Sequence, residues 1–337
     1  EHPMKLCSLC ILPESFPGVT FDEEGLCNHC RNYRGDKATT ALKKKYEQKF
    51  LDLLANERKA SSYDILIAYS GGKDSTYTLD VLVNRYHLRV LALTFDNGFI
   101  SPRAEENIRA VCGHLGADLL VVRPNPSMLR SILRAAAQEE IYSMKTLERA
   151  STICTSCIGL IKNLVLRTAI EKEIPFVGFG WSPGQAPVQA SVMKTNPALM
   201  QQALQAIYKP LHRIAGDAIN PFFLGESHFA RPDMFPWNVH PLAFLPYNEE
   251  AIVERIKTYG WVKPDDTDPN SSNCLLNAYA NHIHRQRYGF HPYVWEIANM
   301  VREGIMTREE GLAKCEPPEV EQMVLYSQQL LQERQSD

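Results

Sequence analysis

The chain has 337 residues, a formal net charge of −3 and 45% hydrophobic residues. Its length allows two or three domains with a large core, its charge argues against a broad basic nucleic-acid surface, and no apolar run is expected to reach the 18 residues of a membrane span. Nine cysteines without a secretory leader, six of them in three CxxC pairs, point to metal ligation in a reducing, cytoplasmic compartment rather than to disulfides. Residues 1–3 read as a tag remnant ahead of a natural start at Met4.

The first unit, 4–35, holds Cys7-x-x-Cys10 and Cys27-x-x-Cys30. This spacing suits a four-thiolate Zn²⁺ site. The turn-rich stretch 13–25 between the pairs is too short to bury a core, so a metal would supply its stability. Four thiolates close the coordination sphere, which makes the site structural; His29 could compete as a ligand, and a redox dithiol is the other reading. A linker helix at 36–60 follows, with Leu42, Tyr46, Phe50, Leu53 and Leu54 at helical spacing and Lys43, Lys44 and Lys45 on a solvated face.

Between 61 and 260 strands and helices alternate. The pattern predicts strands at 64–69, 89–95, 118–123 and 175–179, and helices at 73–86, 102–115, 127–142 and 157–172. Such alternation implies an α/β domain with a doubly wound parallel sheet. After the first strand comes Ser70-Gly71-Gly72-Lys73-Asp74-Ser75. Two glycines allow close backbone approach, and the helix start behind them offers free N–H groups, so an anion belongs there. Ligands of such sheets bind beyond the carboxyl ends of the strands. Ser70, Asp96 with Asn97, and Gly180 with Trp181 should therefore converge; Asp96 and Asn97 would meet an adenine or ribose, or form a plain turn. The glycine- and proline-rich stretch 178–187 reads as a site-lining loop in which Ser182 and Gln185 could position substrate.

Cys154-x-x-Cys157 opens a helix, where a lowered thiol pKa would favour metal ligation, nucleophilic attack or a redox pair. A polar, turn-rich segment at 265–277 carries Cys274, a third candidate ligand or else a small buried hydrophobe. Cys112 and Cys315 have no partner in sequence and read as structural. His212, His228 and His240 show no metal spacing. The last unit, 261–337, combines this ligand loop with a helical region in which Thr307 and Glu310 form a capping box.

The hexapeptide 70–75 resembles the PP-loop of the adenine-nucleotide α-hydrolase (HUP-like) family. The resemblance implies ATP cleaved between its α- and β-phosphates and a substrate oxygen adenylated, with Ser70, Gly71, Gly72, Lys73, Asp74 and Ser75 around the pyrophosphate. Lys73 would bring charge, and Asp74 would hold Mg²⁺ or orient the loop. A PP-loop followed by CxxC and one distant cysteine is similar to iron–sulfur-dependent thiolation enzymes that modify tRNA. That likeness implies a [4Fe-4S] cluster on Cys154, Cys157 and Cys274 with one iron open for sulfur, supplied by sulfide or a persulfide carrier. The two ends, Cys10-Ile-Leu-Pro-Glu14, Phe21-Asp-Glu-Glu-Gly-Leu-Cys27 and the tail from Gly289, are similar to the N-acetyl sugar amidotransferase family of surface-polysaccharide pathways, which would instead form an amidine from ammonia. The expected activity is ATP-dependent sulfur transfer to a tRNA base or a small metabolite, by a chain that binds no membrane and could form a homodimer. The amidotransferase is the alternative, and a nucleotide sensor without catalysis is a third class.

Overall fold

The computed structural model describes residues 4–57, 61–316 and 321–333. The tag reading of residues 1–3 and the end of the linker helix lie outside them. Six strands form one sheet in the order β3-β2-β1-β4-β6-β5, from β1 (Ile65–Ala68), β2 (Val90–Phe95), β3 (Asp118–Val122), β4 (Phe176–Phe179), β5 (Val192–Lys194) and β6 (Trp237–Val239). Every pairing is parallel except β5 with β6. The expected doubly wound α/β sheet is present, and β5 and β6 extend it beyond the four strands read from the sequence.

Side chains alternate faces along a strand, and this divides the core in two. Leu66, Leu91, Leu93 and Val177 point to one layer with α4 (Pro126–Gln138), α5 (Thr152–Glu171) and α6 (Pro197–Ala215). Ile65, Ile67, Ala92 and Phe176 point to the other, where Phe50 of α1 (Asp36–Asn56) meets the Phe176 ring edge-on at 5.9 Å. Helix α2 (Lys73–Asp80), which runs on as a wider turn over Val81–Arg85, and α3 (Pro102–Leu115) complete the wound part. The chain fills the sheet from β1 to β3 on one side and then crosses to β4 on the other. The switch point therefore lies between β1 and β4, where ligands of such folds bind.

Helix α5 begins at Thr152, five residues before the expected start, because the Ser151 hydroxyl caps it by accepting from the Cys154 N–H. By length and composition alone it could cross a membrane, but Lys162 and Arg167 interrupt its apolar run and it lies mostly buried against the sheet. Further along are the longer helices α7 (Glu249–Lys257), α8 (Asn277–Tyr288), α9 (Val294–Arg302), α10 (Arg308–Cys315) and α11 (Glu321–Glu333), beside several short helical turns. The capping box at Thr307 and Glu310 is formed.

Candidate active site

The loop after β1 is held open by glycines. Gly71 has φ +75°, and a Cβ there would stand 2.6 Å from Ile108 Cγ1 and 2.9 Å from the Ala104 carbonyl, so no other residue fits. Its carbonyl accepts from the buried Trp261 indole at 2.9 Å. Ser70 Oγ accepts from the Gly72 N–H at 3.3 Å and hydrogen-bonds Ser75 Oγ at 3.0 Å. Behind the loop, Gly180 at the end of β4 backs onto Ser75, where a Cβ would come within 2.7 Å of the Ser75 nitrogen. Backbone against backbone on both sides leaves the start of α2 facing the cleft.

Lys73 donates to Tyr247 Oη at 3.0 Å and pairs with Glu249 at 3.1 Å and Asp74 at 3.6 Å. Burial works against its charge, but Asp74 and Glu249 outweigh it and hold the pKa above the ordinary lysine value. Tyr247 Oη in turn donates to Asp74 Oδ1 at 2.7 Å. Lys73 and Asp74 thus stand between two spaces. The smaller, of about 140 Å³, is lined by Lys263, Lys314, Glu249 and Glu296. Burial pushes Glu296 up to about 7, with Ser182 donating to it at 2.7 Å and Asp74 adding repulsion.

The larger space, a cleft of about 390 Å³, joins the loop to Cys154, Cys157 and Cys274. Helix α5 presents Cys154, Cys157, Ile158, Ile161 and Lys162 to it, a stripe at helical spacing. Cys274 arrives from far along the chain. The segment 99–101 after β2 pairs with 273–275: the Leu275 N–H donates to the Phe99 carbonyl at 2.9 Å, and the Ser101 N–H to the Asn273 carbonyl at 2.8 Å. Ser272 in the same strap accepts from the Lys73 N–H at 3.1 Å. The strap therefore closes over the loop and carries the third thiol in one stroke.

Burial reverses the expected acidification of the helix-start thiols. It pushes Cys154 up to about 11 against the Ser151 hydroxyl, and raises Cys157 and Cys274 as well. The helix terminus does not compensate, so burial favours the neutral thiols in this wall. The donor set offered here, three thiols lining one cleft, is of the kind that holds an iron–sulfur centre.

Other sequence candidates are placed as follows. Asp96 turns away from the cleft, accepting from the Gly98 N–H at 2.8 Å and from Arg123 Nε at 2.6 Å; its neighbour Asn97 lines the cleft instead. Gln185 lines the cleft while its side chain accepts from the Ser182 N–H at 2.6 Å. His212 pairs with Asp217 and His228 with Glu171, each at 2.9 Å, and His240 is stacked on Trp181 at 4.3 Å. Cys112 is buried. The sequence reading passed over Lys162, which lies 4.4 Å above the Trp181 ring and is lowered to about 8 by burial and the nearby Arg149. Its position on the α5 stripe, eight residues after Cys154, was the available signal.

At the amino terminus, Cys7, Cys10, Cys27 and Cys30 bring their sulfurs within 4.8 Å of one another. The Cys7–Cys30 and Cys10–Cys27 sulfur separations, 3.8 and 3.6 Å, match the edge of about 3.8 Å for a tetrahedron with metal–sulfur bonds of about 2.3 Å. His29 stands outside the four, edge-on to Trp295. The Leu9, Cys10 and Cys27 amides point at Cys7 Sγ from 3.3 to 3.5 Å and, against the upward pull of burial, hold that thiol down at about 6. Arg302 donates to Cys30 and Cys10 Sγ, each at 3.3 Å. Phe16 stacks on Trp295 at 5.5 Å, docking this unit on α9. The same helix reaches the smaller space and the 178–187 loop: Asn299 donates to the Gly184 carbonyl at 2.9 Å, and Glu296 accepts from Ser182.

No family model matches the chain. It is 21% identical over 316 residues to an uncharacterised protein of Methanocaldococcus jannaschii, covering 93% of this chain and 94% of the relative. Among solved structures it is similar to the U34-tRNA thiolase NcsA from Methanococcus maripaludis with its [4Fe-4S] cluster, at 17% identity and a TM-score of 0.39 over 98% of this chain and 89% of that one. NMN synthetase from Francisella tularensis is similar at 12% identity and a TM-score of 0.29, over 64% of this chain and 92% of that one. The fold assignment itself rests on this chain's own sheet order and 70–75 loop.

Proposed function

We propose that this chain is an ATP-dependent sulfur transferase that adenylates a substrate oxygen and replaces it with sulfur. One observation carries the reading: the phosphate-type loop and three thiols from two distant segments line a single cleft. ATP would seat its phosphates on the amides of Gly71, Gly72 and the α2 start, with Ser70 and Ser75 shaping the turn. Lys73 would neutralise charge, and Asp74 would hold Mg²⁺. Cys154, Cys157 and Cys274 would hold a [4Fe-4S] cluster, and an iron left open by three-cysteine ligation supplies a place for a sulfur atom. Lys162 and Arg149 leave the cleft mouth positively charged beside Ile158 and Ile161, which supports an acceptor with both anionic and flat apolar parts, a tRNA base or a small metabolite. Sulfide or a persulfide carrier would be the donor. Zn²⁺ would fill the amino-terminal four-thiolate site, 4–35, as a structural ion; 61–260 would form the ATP domain and 261–337 the ligand loop and helical region, in a cytoplasmic protein.

Anaerobic reconstitution of the wild type and Cys274→Ala tests this directly. The wild type should take up iron and sulfide at about four each per chain, and the variant should not retain them. Full retention in Cys274→Ala would sink the three-cysteine centre.

A further inference from the structure

Two asparagine carboxamides face the three thiols of the cleft. Asn97 Nδ2 lies 3.9 Å from Cys157 Sγ and 3.7 Å from Cys274 Sγ, and Asn277 Nδ2 lies 3.7 Å from Cys154 Sγ. Carboxamides can flip, but here the orientation is decided by the other end. Asn97 Oδ1 accepts from the Phe99 N–H at 2.9 Å, so its NH₂ must face the sulfurs. Asn277 Oδ1 accepts from Asn281 Nδ2 at 2.9 Å. One of its N–H groups goes to Tyr293 Oη at 2.6 Å, which leaves the second for Cys154. Each candidate ligand thus has a carboxamide N–H aimed at it, and Asn97, with two N–H groups, serves two sulfurs at once. Asn97 lies two residues past the end of β2, and Asn277 opens α8 without capping it.

We infer that Asn97 and Asn277 are positioning residues for the iron–sulfur centre, whose N–H···S contacts hold the three thiolates as ligands and raise the reduction potential. This rests on the cluster reading above. A donor aimed at a thiolate takes up part of its negative charge, which stabilises the more electron-rich reduced centre and slows loss of the ligand. Asp at either position keeps the size and the accepting oxygen but replaces the donor with an anionic acceptor; Ser is a neutral replacement without the reach.

The experiment uses the full chain, reconstituted anaerobically: wild type, Asn97→Asp, Asn277→Asp, and Asn97→Ser with Asn277→Ser. Two quantities are read, the midpoint potential by EPR-monitored redox titration and the rate of iron release to a chelator. The inference expects a midpoint more negative than wild type in each variant that loads, and iron release faster by about 10-fold or more. Should the Asp variants fail to load, the Ser variants are read in the same way. Unchanged potentials and release rates in cluster-loaded variants would overturn the inference and leave the cluster reading standing. A wild type that takes up no iron would overturn both.

Discussion

Glu296 offers a prediction with a worked magnitude and a definite sign. Its carboxyl is buried in the smaller space beside Asp74, accepts one hydrogen bond from Ser182, and has its pKa raised from 4.5 to about 7, burial being the largest cause. At about 1.4 kcal/mol per tenfold change in the proton equilibrium, that rise corresponds to roughly 3.5 kcal/mol. Because the folded pKa is the higher one, the native state binds more protons between the two values. Stability is fully present below about pH 4.5 and is lost as the pH rises through about 7. Glu296→Gln keeps an acceptor for Ser182 and removes the ionisation. Relative to wild type it should gain roughly 2 kcal/mol between about pH 5.5 and about pH 8.5, an increase in the Tm difference of about 3 °C for a chain of this size. Thermal unfolding followed by circular dichroism across that range checks it. A Tm difference that does not change with pH would refute the argument that burial keeps this acid protonated.

Gly180→Ala places a methyl group against the Ser75 backbone, 2.7 Å from its nitrogen, and should weaken binding of a non-hydrolysable ATP analogue on the order of 10- to 100-fold by displacing the loop; unchanged affinity by calorimetry would contradict that geometry. Arg302→Met removes both donors to Cys10 and Cys30 and should speed metal loss from the amino-terminal site to a chelator by about 10-fold or more, a change that equal release rates would exclude. His284 is buried between the Tyr288 and Phe290 rings, both ring nitrogens lack a hydrogen-bond partner among the described residues, and burial lowers it to about 4. The unfolded chain therefore takes up the proton first, and stability should fall by up to roughly 3 kcal/mol as the pH drops from about 6.5 toward 4. His284→Leu should make the acid limb of the Tm profile shallower; an unchanged limb would show that the imidazole is not held neutral.

Local chemistry made the loop legible. A buried apolar strand, two glycines and a helix start between 63 and 76 are enough to specify strand, turn and helix, and Gly71 shows why, since its φ and its neighbours both demand glycine. The amino-terminal CxxC pairs were legible for the same reason, because ligand spacing is a local property. Strands β5 and β6 were not, being three residues each and too short to show a period of two. The start of α5 was hidden although Ser151 is an ordinary cap, because the two cysteines drew the boundary toward themselves. The convergence of Cys274 on Cys154 and Cys157 depends on the pairing of 99–101 with 273–275, a contact across more than half of the chain that no local pattern announces. Asn277 was invisible for that reason as well. The thiol pKa values were misjudged because a helix terminus is readable from sequence whereas desolvation by packing is not.

The central claim is that the cleft pairs ATP activation with a cluster on Cys154, Cys157 and Cys274. Metal and acid-labile sulfide analysis of protein prepared without oxygen tests it most directly. The account predicts about one zinc together with about four iron and four sulfide per chain. Zinc alone, in protein never exposed to air and offered iron and sulfide, would contradict it and leave the ammonia-transferring alternative in its place.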